Sequence, residues 1–423
     1  MSRSSPASKA AAKGASKARV PGIDVLRGLC IVAVVLHHLN LRLHFHESAF
    51  GRWIGPAVDK VLFWNGYYGV RVFFVISGFL IASWSMKRWG NLKNIDLRQF
   101  YWMRFARIIP CLAGLLLLLF ILDRAGVPRF TVDTRHTSIW RALLAASTFH
   151  INWLEAKTGY LPAAWDVLWS LSVEEMFYIL FPVLCLVAQR WMLVLSLLVF
   201  VVIGPFARVA LTHNDLWADY GYLSCMDGIA FGCLAAMVAE RINAGNKLPR
   251  RASLLLLIPG IFLSALITIF RGMAAKTGLY KVGLDVTVLE IGVVFMLLSL
   301  QFGVGLFAGD LRGVPSRMRG GIALKLRAWH PSSILQWFGR NSYEIYLTHM
   351  LVVWPVVFLF QYVRQPINTA PLWFLGTLVL CGLLGHIVSR FYSEPLNQRL
   401  RQGVSPISQS RTLSSHGSLG SNL

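Results

Sequence analysis

Acidic residues are scarce in this chain, and charge of either sign is low. Of its 423 residues, only 19 are Asp or Glu and 41 are Lys or Arg, so charged residues make up 14% of the chain against 56% hydrophobic. Soluble domains carry about 25% charged residues. The composition therefore excludes a soluble protein. Its long apolar runs indicate an all-α integral membrane protein instead.

Metal-binding and nucleotide-binding motifs are also absent. The six cysteines lie in apolar stretches without a CxxC pair or a metal-ligand spacing, so we expect small buried hydrophobic residues and no metal site. The sequence has no Walker loop, no GxGxxG after a strand and no HExxH. These absences argue against an energy-coupled pump and a nicotinamide enzyme.

The net charge of +22 does not indicate a nucleic-acid partner. The basic residues lie between apolar spans, which is where a membrane protein places them on its cytoplasmic loops. We therefore expect the lipid bilayer, and no nucleic acid, as a partner of this surface.

The apolar runs predict about ten transmembrane helices, each needing about 20 mostly apolar residues. These spans cover residues 23–43, 66–86, 104–122, 167–189, 191–210, 221–240, 252–270, 284–307, 342–362 and 371–391. Placing the N-terminus in the cytoplasm puts about twice as many basic residues inside as outside, which predicts that both termini are cytoplasmic.

The remaining stretches are short or polar. Residues 138–153 are apolar but carry Arg141, and we interpret them as an interfacial or re-entrant helix. Residues 1–20 form a basic tail and residues 401–423 a Ser-rich tail, both expected to be disordered. We therefore predict a single membrane domain over residues 21–400.

The first span contains an arginine and two histidines, which are costly in a bilayer and usually functional. Arg27 and His38 are eleven residues apart, three helical turns, so they share a face and lie about 16 Å apart along the axis. A histidine can take up a proton near neutral pH. His38 is therefore a candidate base, although a buried histidine held by a carboxylate would give the same pattern.

Two arginines stand at the start of the third span. Arg104 and Arg107 are at positions i and i+3, on one helix face. Such a pair could clamp phosphates through charge-assisted hydrogen bonds. Anchoring against anionic lipid headgroups would explain the pair equally well.

Carboxylates and a further arginine lie within other spans. Glu174 and Glu175 are adjacent in the fourth span, so at least one could turn inward and orient His38. Arg71, in the second span, is expected at a similar depth to His38, and a structural ion pair between it and a glutamate is the alternative. We expect Ser77 and His349 to serve helix packing.

Five stretches together resemble the acyltransferase-3 family of bacterial membrane acyltransferases. They cover residues 23–395 and comprise LRG followed by His38, FFVISGFLI, RxxRIxP, WSLSVEEMFY, and SYEIYLTH with a terminal YxEP. The family's arginine, ten intervening residues and histidine fall on Arg27 and His38, not on His37. Its RxxR motif, implicated in donor use, falls on Arg104 and Arg107.

The resemblance implies a stand-alone O-acyltransferase of the bacterial inner membrane. Members move acyl groups, usually acetyl, to hydroxyls of sugars, including lipopolysaccharide O-antigens, exopolysaccharides, peptidoglycan and glycosylated small molecules. The donor would be acyl-CoA, most often acetyl-CoA, with no permanently bound cofactor and no metal. The predicted catalytic residues are then His38, Glu174, Glu175 and Arg71, and the predicted donor-binding residues are Arg27, Arg104 and Arg107.

A multipass transporter or flippase of a lipid-linked sugar or small molecule is the main alternative. In that interpretation the buried charges line a polar path, since membrane-buried charges serve both purposes. No internal repeat is visible in the sequence, which argues against a transporter built from inverted repeats. A non-catalytic regulator would be a third possibility, and the intact motifs argue against it.

Overall fold

A computed structural model describes residues 20–212, 214–245, 250–302 and 331–402, and every regular element in these residues is helical. The helices are α1 Pro21–Asn40, α2 Ala49–Asp59, α3 Tyr68–Trp89, α4 Leu97–Arg124, α5 Ile139–Ser147, α6 Ile151–Thr158, α7 Ala163–Asp166, α8 Trp169–Val187, α9 Arg190–Ala210, α10 Asp215–Tyr220, α11 Tyr222–Gly245, α12 Arg250–Thr268, α13 Arg271–Lys276, α14 Leu284–Phe302, α15 Pro331–Arg340, α16 Ser342–Thr348, α17 Met350–Tyr362, α18 Ala370–Val388 and α19 Glu394–Gln402. Short 3-10 or π turns lie at Phe45–Glu47, Lys60–Trp64, Asn65–Tyr67, Leu92–Asn94, Leu279–Val282, Ile367–Thr369 and Ser389–Ser393.

Within the described residues, eight helical stretches are long and apolar enough to cross a membrane, and α16 with α17 makes a ninth if that bent pair is one span. The shorter apolar helix Ser253–Thr268 occupies the position of the span predicted at 252–270. The all-α, multi-pass prediction is thus confirmed. The predicted stretch 138–153 forms two short helices, α5 and α6.

The ends of the chain and one predicted span reach beyond the described residues. Most of the predicted tails, residues 1–19 and 403–423, lies outside them, as do residues 303–307 of the span predicted at 284–307. All six cysteines are free and buried, as expected from the sequence.

The first helix has the end signals of a stable helix. Pro21 occupies its first turn, where the missing amide hydrogen costs nothing. Asp24 stands near the positive end of the helix dipole, and His37 and His38 stand near the negative end. We call the side of the bundle where α1 begins the near side, and the side where α1 ends the far side.

Helices α3 and α11 pack backbone against backbone. A Cβ atom at Gly78 would lie 1.9 Å from the carbonyl oxygen of Ile229, and one at Gly232 would lie 2.0 Å from that of Val75. Small residues allow this approach between membrane helices. Gly78, the neighbour of Ser77, is therefore a helix-packing position.

Replacing Gly78 by leucine should separate α3 from α11. Because the new side chain would meet backbone, which cannot rotate away, we expect a destabilisation of about 3 kcal/mol or more. The measurement is the fraction of protein that elutes as a single symmetric peak after extraction in mild detergent. Gly376→Leu is the matched control, since a Cβ at Gly376 has nothing within 4 Å. Equal elution of both variants would contradict the packing role.

A buried polar cluster joins three helices in the membrane region. Arg208 of α9 donates hydrogen bonds to the carboxylate of Asp227 at 2.7 Å and to the hydroxyl of Thr287 at 2.8 Å. It also donates to the carbonyl oxygens of Ser224 at 2.8 Å and Gly283 at 3.1 Å. One side chain therefore connects α9 to α11 and α14.

The ninth span is broken in its middle. Helix α16 ends at Thr348 and α17 begins at Met350, with an angle of 48° between them. His349 occupies the break and is fully buried. Its ring faces α1, which brings a second imidazole to the middle of the bundle.

Candidate active site

Three cavities follow α1 from its start to its end. The near-side cavity, of about 960 Å³, is lined by Arg27, Lys87, Arg107, Arg340, Arg390 and Arg401 among others. The central cavity, of about 470 Å³, is lined by Arg27, Ser77, Arg104, Arg107, Glu174, Glu175 and Tyr346 among others. The far-side cavity, of about 1140 Å³, is lined by Leu41, Arg42, Arg129, Tyr160, Asp166, Tyr220 and Trp354 among others.

Arg104 and the two adjacent glutamates meet at the central cavity. Arg104 forms an ion pair with Glu175 at 2.9 Å, and its guanidinium lies 3.8 Å from the ring centroid of Tyr178. Ser77 donates a hydrogen bond to Glu174 at 3.1 Å. The polar residues of α3, α4 and α8 are therefore brought together, in pairs that the sequence did not predict.

Arg107 is held by a different carboxylate. It forms an ion pair at 3.0 Å with Glu344 of α16, which is fully buried and also accepts a hydrogen bond from Ser393. A second carboxylate, Glu394, lies 3.9 Å from Arg107. Each arginine of the RxxR motif thus has a carboxylate partner inside the protein.

Arg27 differs from these two arginines. It donates a hydrogen bond to the hydroxyl of Ser342 at 2.8 Å, and no carboxylate of the described residues lies within ion-pair distance of it. It lines both the near-side and the central cavity. Its charge is therefore available to an anion that passes from one cavity to the other.

His38 is oriented by its own helix. Its Nδ1 lies 2.9 Å from the carbonyl oxygen of Val34. Because a carbonyl can only accept, the proton of the neutral ring belongs on Nδ1, and Nε2 carries the lone pair. This tautomer is the one that a base or a nucleophile acting through Nε2 requires.

His349 is a partner of His38 that the sequence interpretation missed. The two ring centroids are 4.9 Å apart in an edge-to-face arrangement. Nδ1 of His349 donates to the carbonyl oxygen of Tyr346 at 2.6 Å, and its buried Nε2 has no hydrogen-bond partner in the described part of the chain. We expected a packing residue here, but the break after Thr348 turns its ring toward α1.

The neighbouring His37 points elsewhere. Its Nδ1 lies 3.0 Å from the carbonyl oxygen of Phe63, in the turn before α3, and its ring centroid is 5.7 Å from that of His38. The two adjacent imidazoles therefore contact different segments. Only His38 faces His349 closely.

Arg71 lies in another part of the bundle from His38. It donates hydrogen bonds to the carbonyl oxygens of Asp219 and Ser224, each at 2.9 Å, and to the sulfur of Cys225 at 3.0 Å. Arg71, one of the predicted catalytic residues, therefore makes no hydrogen bond to His38, and within the described residues it forms no ion pair with a glutamate either. Nor do Glu174 and Glu175 hydrogen-bond to His38, since their partners are Ser77 and Arg104.

The central and far-side cavities are separated by a hydroxyl pair. The hydroxyl of Tyr346 lies 2.7 Å from Oγ of Ser170 and donates to the carbonyl oxygen of Val167 at 2.9 Å. Tyr346 and Ser170 line the central cavity, and Asp166, next to Val167, lines the far-side cavity. This wall stands beside the imidazole pair.

A family model described as an acyltransferase domain matches residues 20–387, nearly all of the helical bundle. The chain belongs to the acyltransferase-3 family. The match includes both histidines of the pair, the RxxR motif and the adjacent glutamates. The resemblance found in the sequence is thereby confirmed, and most of the residues that line the three cavities lie within the matched acyltransferase domain.

Curated relatives of this acyltransferase-3 chain are bacterial. The peptidoglycan O-acetyltransferase OatA of Listeria monocytogenes is 27% identical over 356 residues, which are 80% of this chain and 50% of that protein. The O-acetyltransferase OatA of Staphylococcus aureus is 22% identical over 391 residues, 90% of this chain and 57% of that protein. The chain thus spans about half the length of these relatives. No solved structure gives a significant match.

Proposed function

We propose that this protein is an O-acetyltransferase of the bacterial inner membrane, with both termini in the cytoplasm. It would move an acetyl group from acyl-CoA to a hydroxyl of a carbohydrate such as an O-antigen, an exopolysaccharide or peptidoglycan. The observation that carries the proposal is the imidazole pair: the ring centroids of His38 and His349 are 4.9 Å apart, and His349 lies 5.8 Å from the ring of Tyr346, which lines the central cavity. The names of the two O-acetyltransferase relatives support it.

The chemical step needs one base. Nε2 of His38 takes the proton of the acceptor hydroxyl while the oxygen forms a bond to the carbonyl carbon of the thioester. The carbon–sulfur bond then breaks, and the CoA thiolate takes the proton from His38. In the alternative, Nε2 accepts the acetyl group first and passes it to the hydroxyl in a second step.

The donor phosphates fit the near-side cavity. Six cationic and only two acidic side chains line it. In the described residues, Lys87, Arg340, Arg390 and Arg401 form no ion pair with a carboxylate. Charge-assisted hydrogen bonds from such groups are the usual way to bind phosphates.

The three arginines predicted to bind the donor then have two different roles: one for Arg27, and another for Arg104 and Arg107. Arg27 lies between the near-side and central cavities and is free to contact a phosphate. Arg104 and Arg107 have carboxylate partners, and we propose that they order the passage through which the pantetheine arm reaches His38. From Arg27 to His38 the distance is about 16 Å along α1.

Replacing Arg390 and Arg401 together by alanine should weaken donor binding. Each lost hydrogen bond to a phosphate contributes about 1.5–3 kcal/mol, so we expect KM for acetyl-CoA to rise by about 10-fold or more with kcat little changed. The measurement is CoA release by the purified protein in nanodiscs. Arg141→Ala, an exposed arginine of α5, is the control. An unchanged KM in the double variant would exclude this cavity as the phosphate site.

The activity itself is tested in cells and in vitro. Mass spectrometry of surface glycans should show O-acetyl mass increments in cells with the gene and not in a deletion strain. Purified protein should transfer label from radioactive acetyl-CoA to the glycan so identified. If neither glycans nor glycosides differ, the acetyltransferase proposal is wrong and transport becomes the better explanation.

A further inference from the structure

The far-side cavity begins one turn beyond His38. Leu41 and Arg42 follow the end of α1 and line the cavity. Asp166, next to Val167 of the wall, lines it as well. At about 1140 Å³, it is the largest of the three cavities described above. A hydroxyl that reaches His38 from this side would therefore belong to a molecule that occupies this cavity.

Two guanidinium groups stand over one indole ring in this cavity. The guanidinium carbon of Arg42 lies 4.8 Å from the ring centroid of Trp354, and that of Arg129 lies 5.1 Å from it. Partial burial and the nearby Arg129 lower the pKa of Arg42, and the carboxyl group of Asp166 on the same cavity offsets part of this effect. Two like charges held this close repel each other, and an anion between them would relieve the repulsion.

The backbone holds Arg129 in an uncommon conformation. Its φ angle is +72°, in the left-handed region that side chains other than glycine rarely adopt. The next residue, Phe130, is buried and anchors the loop. Backbone strain of this kind persists only where the surrounding structure fixes it, and it is frequent at ligand-binding sites.

The cavity also offers groups suited to a sugar. Tyr160 and Tyr220 supply aromatic walls, and Tyr160 is 66% exposed. Among the described residues, Nε1 of Trp354 is buried without a hydrogen-bond partner, whereas the carboxyl group of Asp166 shares a hydrogen bond with that of Glu155. A buried donor left unpaired is costly, and a hydroxyl group of a ligand can accept its hydrogen bond.

We propose that the far-side cavity binds the acceptor as an acidic carbohydrate, with an anionic group of the sugar between Arg42 and Arg129. The inference rests on the proposed function and specifies its acceptor class. The anionic group is a carboxylate on the sugar ring or a phosphate that links the sugar to a carrier. Neutral glycans would lack this contact and bind more weakly.

Binding to the intact protein in phosphatidylcholine nanodiscs tests the proposal without requiring acetyl transfer. The probes are a hyaluronan oligosaccharide, which carries glucuronic acid carboxylates, a chitin oligosaccharide of equal length without them, and glucose 1-phosphate compared with glucose. We expect the acidic member of at least one pair to bind about 10-fold more tightly than its neutral partner. The pair that shows the difference identifies carboxylate or phosphate.

Arg129→Gln should abolish this preference and leave the weak binding of the neutral probes unchanged. Arg129→Lys should retain part of it, because lysine keeps the charge and loses the planar fork. Arg141→Gln is the control, since Arg141 is exposed on α5 and lines none of the three cavities. Equal binding of acidic and neutral probes, or an unchanged preference in Arg129→Gln, would overturn the proposal.

A second lipid composition separates a sugar site from a lipid site. If phosphatidylglycerol in the nanodisc abolishes the preference for the acidic probe, the two arginines bind lipid headgroups and the proposal fails. The proposed function is judged separately. Acetyl transfer to neutral glycans alone would support the proposed activity and contradict the acidic acceptor. Preferential binding of acidic probes without any acetyl transfer would support the acidic ligand and contradict the proposed activity.

Discussion

Replacing His38 by alanine should lower kcat for acetyl transfer by about 10²–10⁴-fold, which is the usual contribution of a general base. The hydrogen bond from Nδ1 to the carbonyl oxygen of Val34 fixes the tautomer and leaves the lone pair on Nε2, and among the described residues the nearest imidazole ring is that of His349, with ring centroids 4.9 Å apart. Alanine removes the lone pair without adding bulk. KM for acetyl-CoA should change little, because the phosphate contacts lie on the near side.

His37→Ala is the matched control for this prediction. His37 is adjacent in sequence, yet its ring contacts the carbonyl oxygen of Phe63 and not His349. We expect most of the activity to remain in this variant. If His37→Ala lost as much activity as His38→Ala, the assignment of the base from the two hydrogen-bond partners would be wrong.

Labelling of the wild-type protein distinguishes base catalysis from covalent catalysis. Wild-type protein incubated with labelled acetyl-CoA and no acceptor should keep label on His38 only if an acetyl-imidazole forms. A simple base leaves no labelled protein under these conditions. Both mechanisms use His38. The labelling result therefore decides how His38 acts, and the variants decide whether His38 is the residue that acts.

Replacing Arg208 by methionine should destabilise the protein by about 3–5 kcal/mol, the usual cost of breaking a buried ion pair by removing one partner. The loss leaves the Asp227 carboxylate, two carbonyl groups and a hydroxyl without their cation in the membrane region. Thermal unfolding with a thiol-reactive dye measures the effect, because all six cysteines are buried until the protein unfolds.

Arg135→Met is the control for this measurement. Arg135 also pairs with an aspartate at 2.7 Å, but the pair is exposed to solvent and should contribute little to stability. A midpoint for Arg208→Met equal to that of the control would show that the cluster of α9, α11 and α14 is not needed for the fold.

The helices were predictable because each apolar run is long enough to span a bilayer. Two features of the fold could not be predicted in this way. The segment Ala49–Asp59 forms a helix although it lies between predicted spans, and it contains Gly55 at a φ of +82°. The break at His349 lies inside a continuous apolar run, so hydrophobicity alone gives no sign of it.

The sequence predicted which residues belong to the site better than it predicted which of them contact each other. Arginines and glutamates within spans were expected to face inward, and Arg104 and Glu175 do meet. The partners of Arg71 and His38 were not foreseen because they are mainly backbone carbonyl groups. Every residue has such a group, so the sequence carries no mark of the one that is used. The rotation of each helix about its axis decides which carbonyl group a side chain reaches.

The hydroxyl pair of Tyr346 and Ser170 has a consequence for the cell's energy supply. Cavities that open toward both faces of a membrane bring water close from each side, and a continuous file of water would conduct protons. Tyr346 directs its hydrogen to the carbonyl oxygen of Val167, within the wall, and so does not continue such a file. A file of water molecules that reached Tyr346 from the central cavity would therefore end at this hydroxyl.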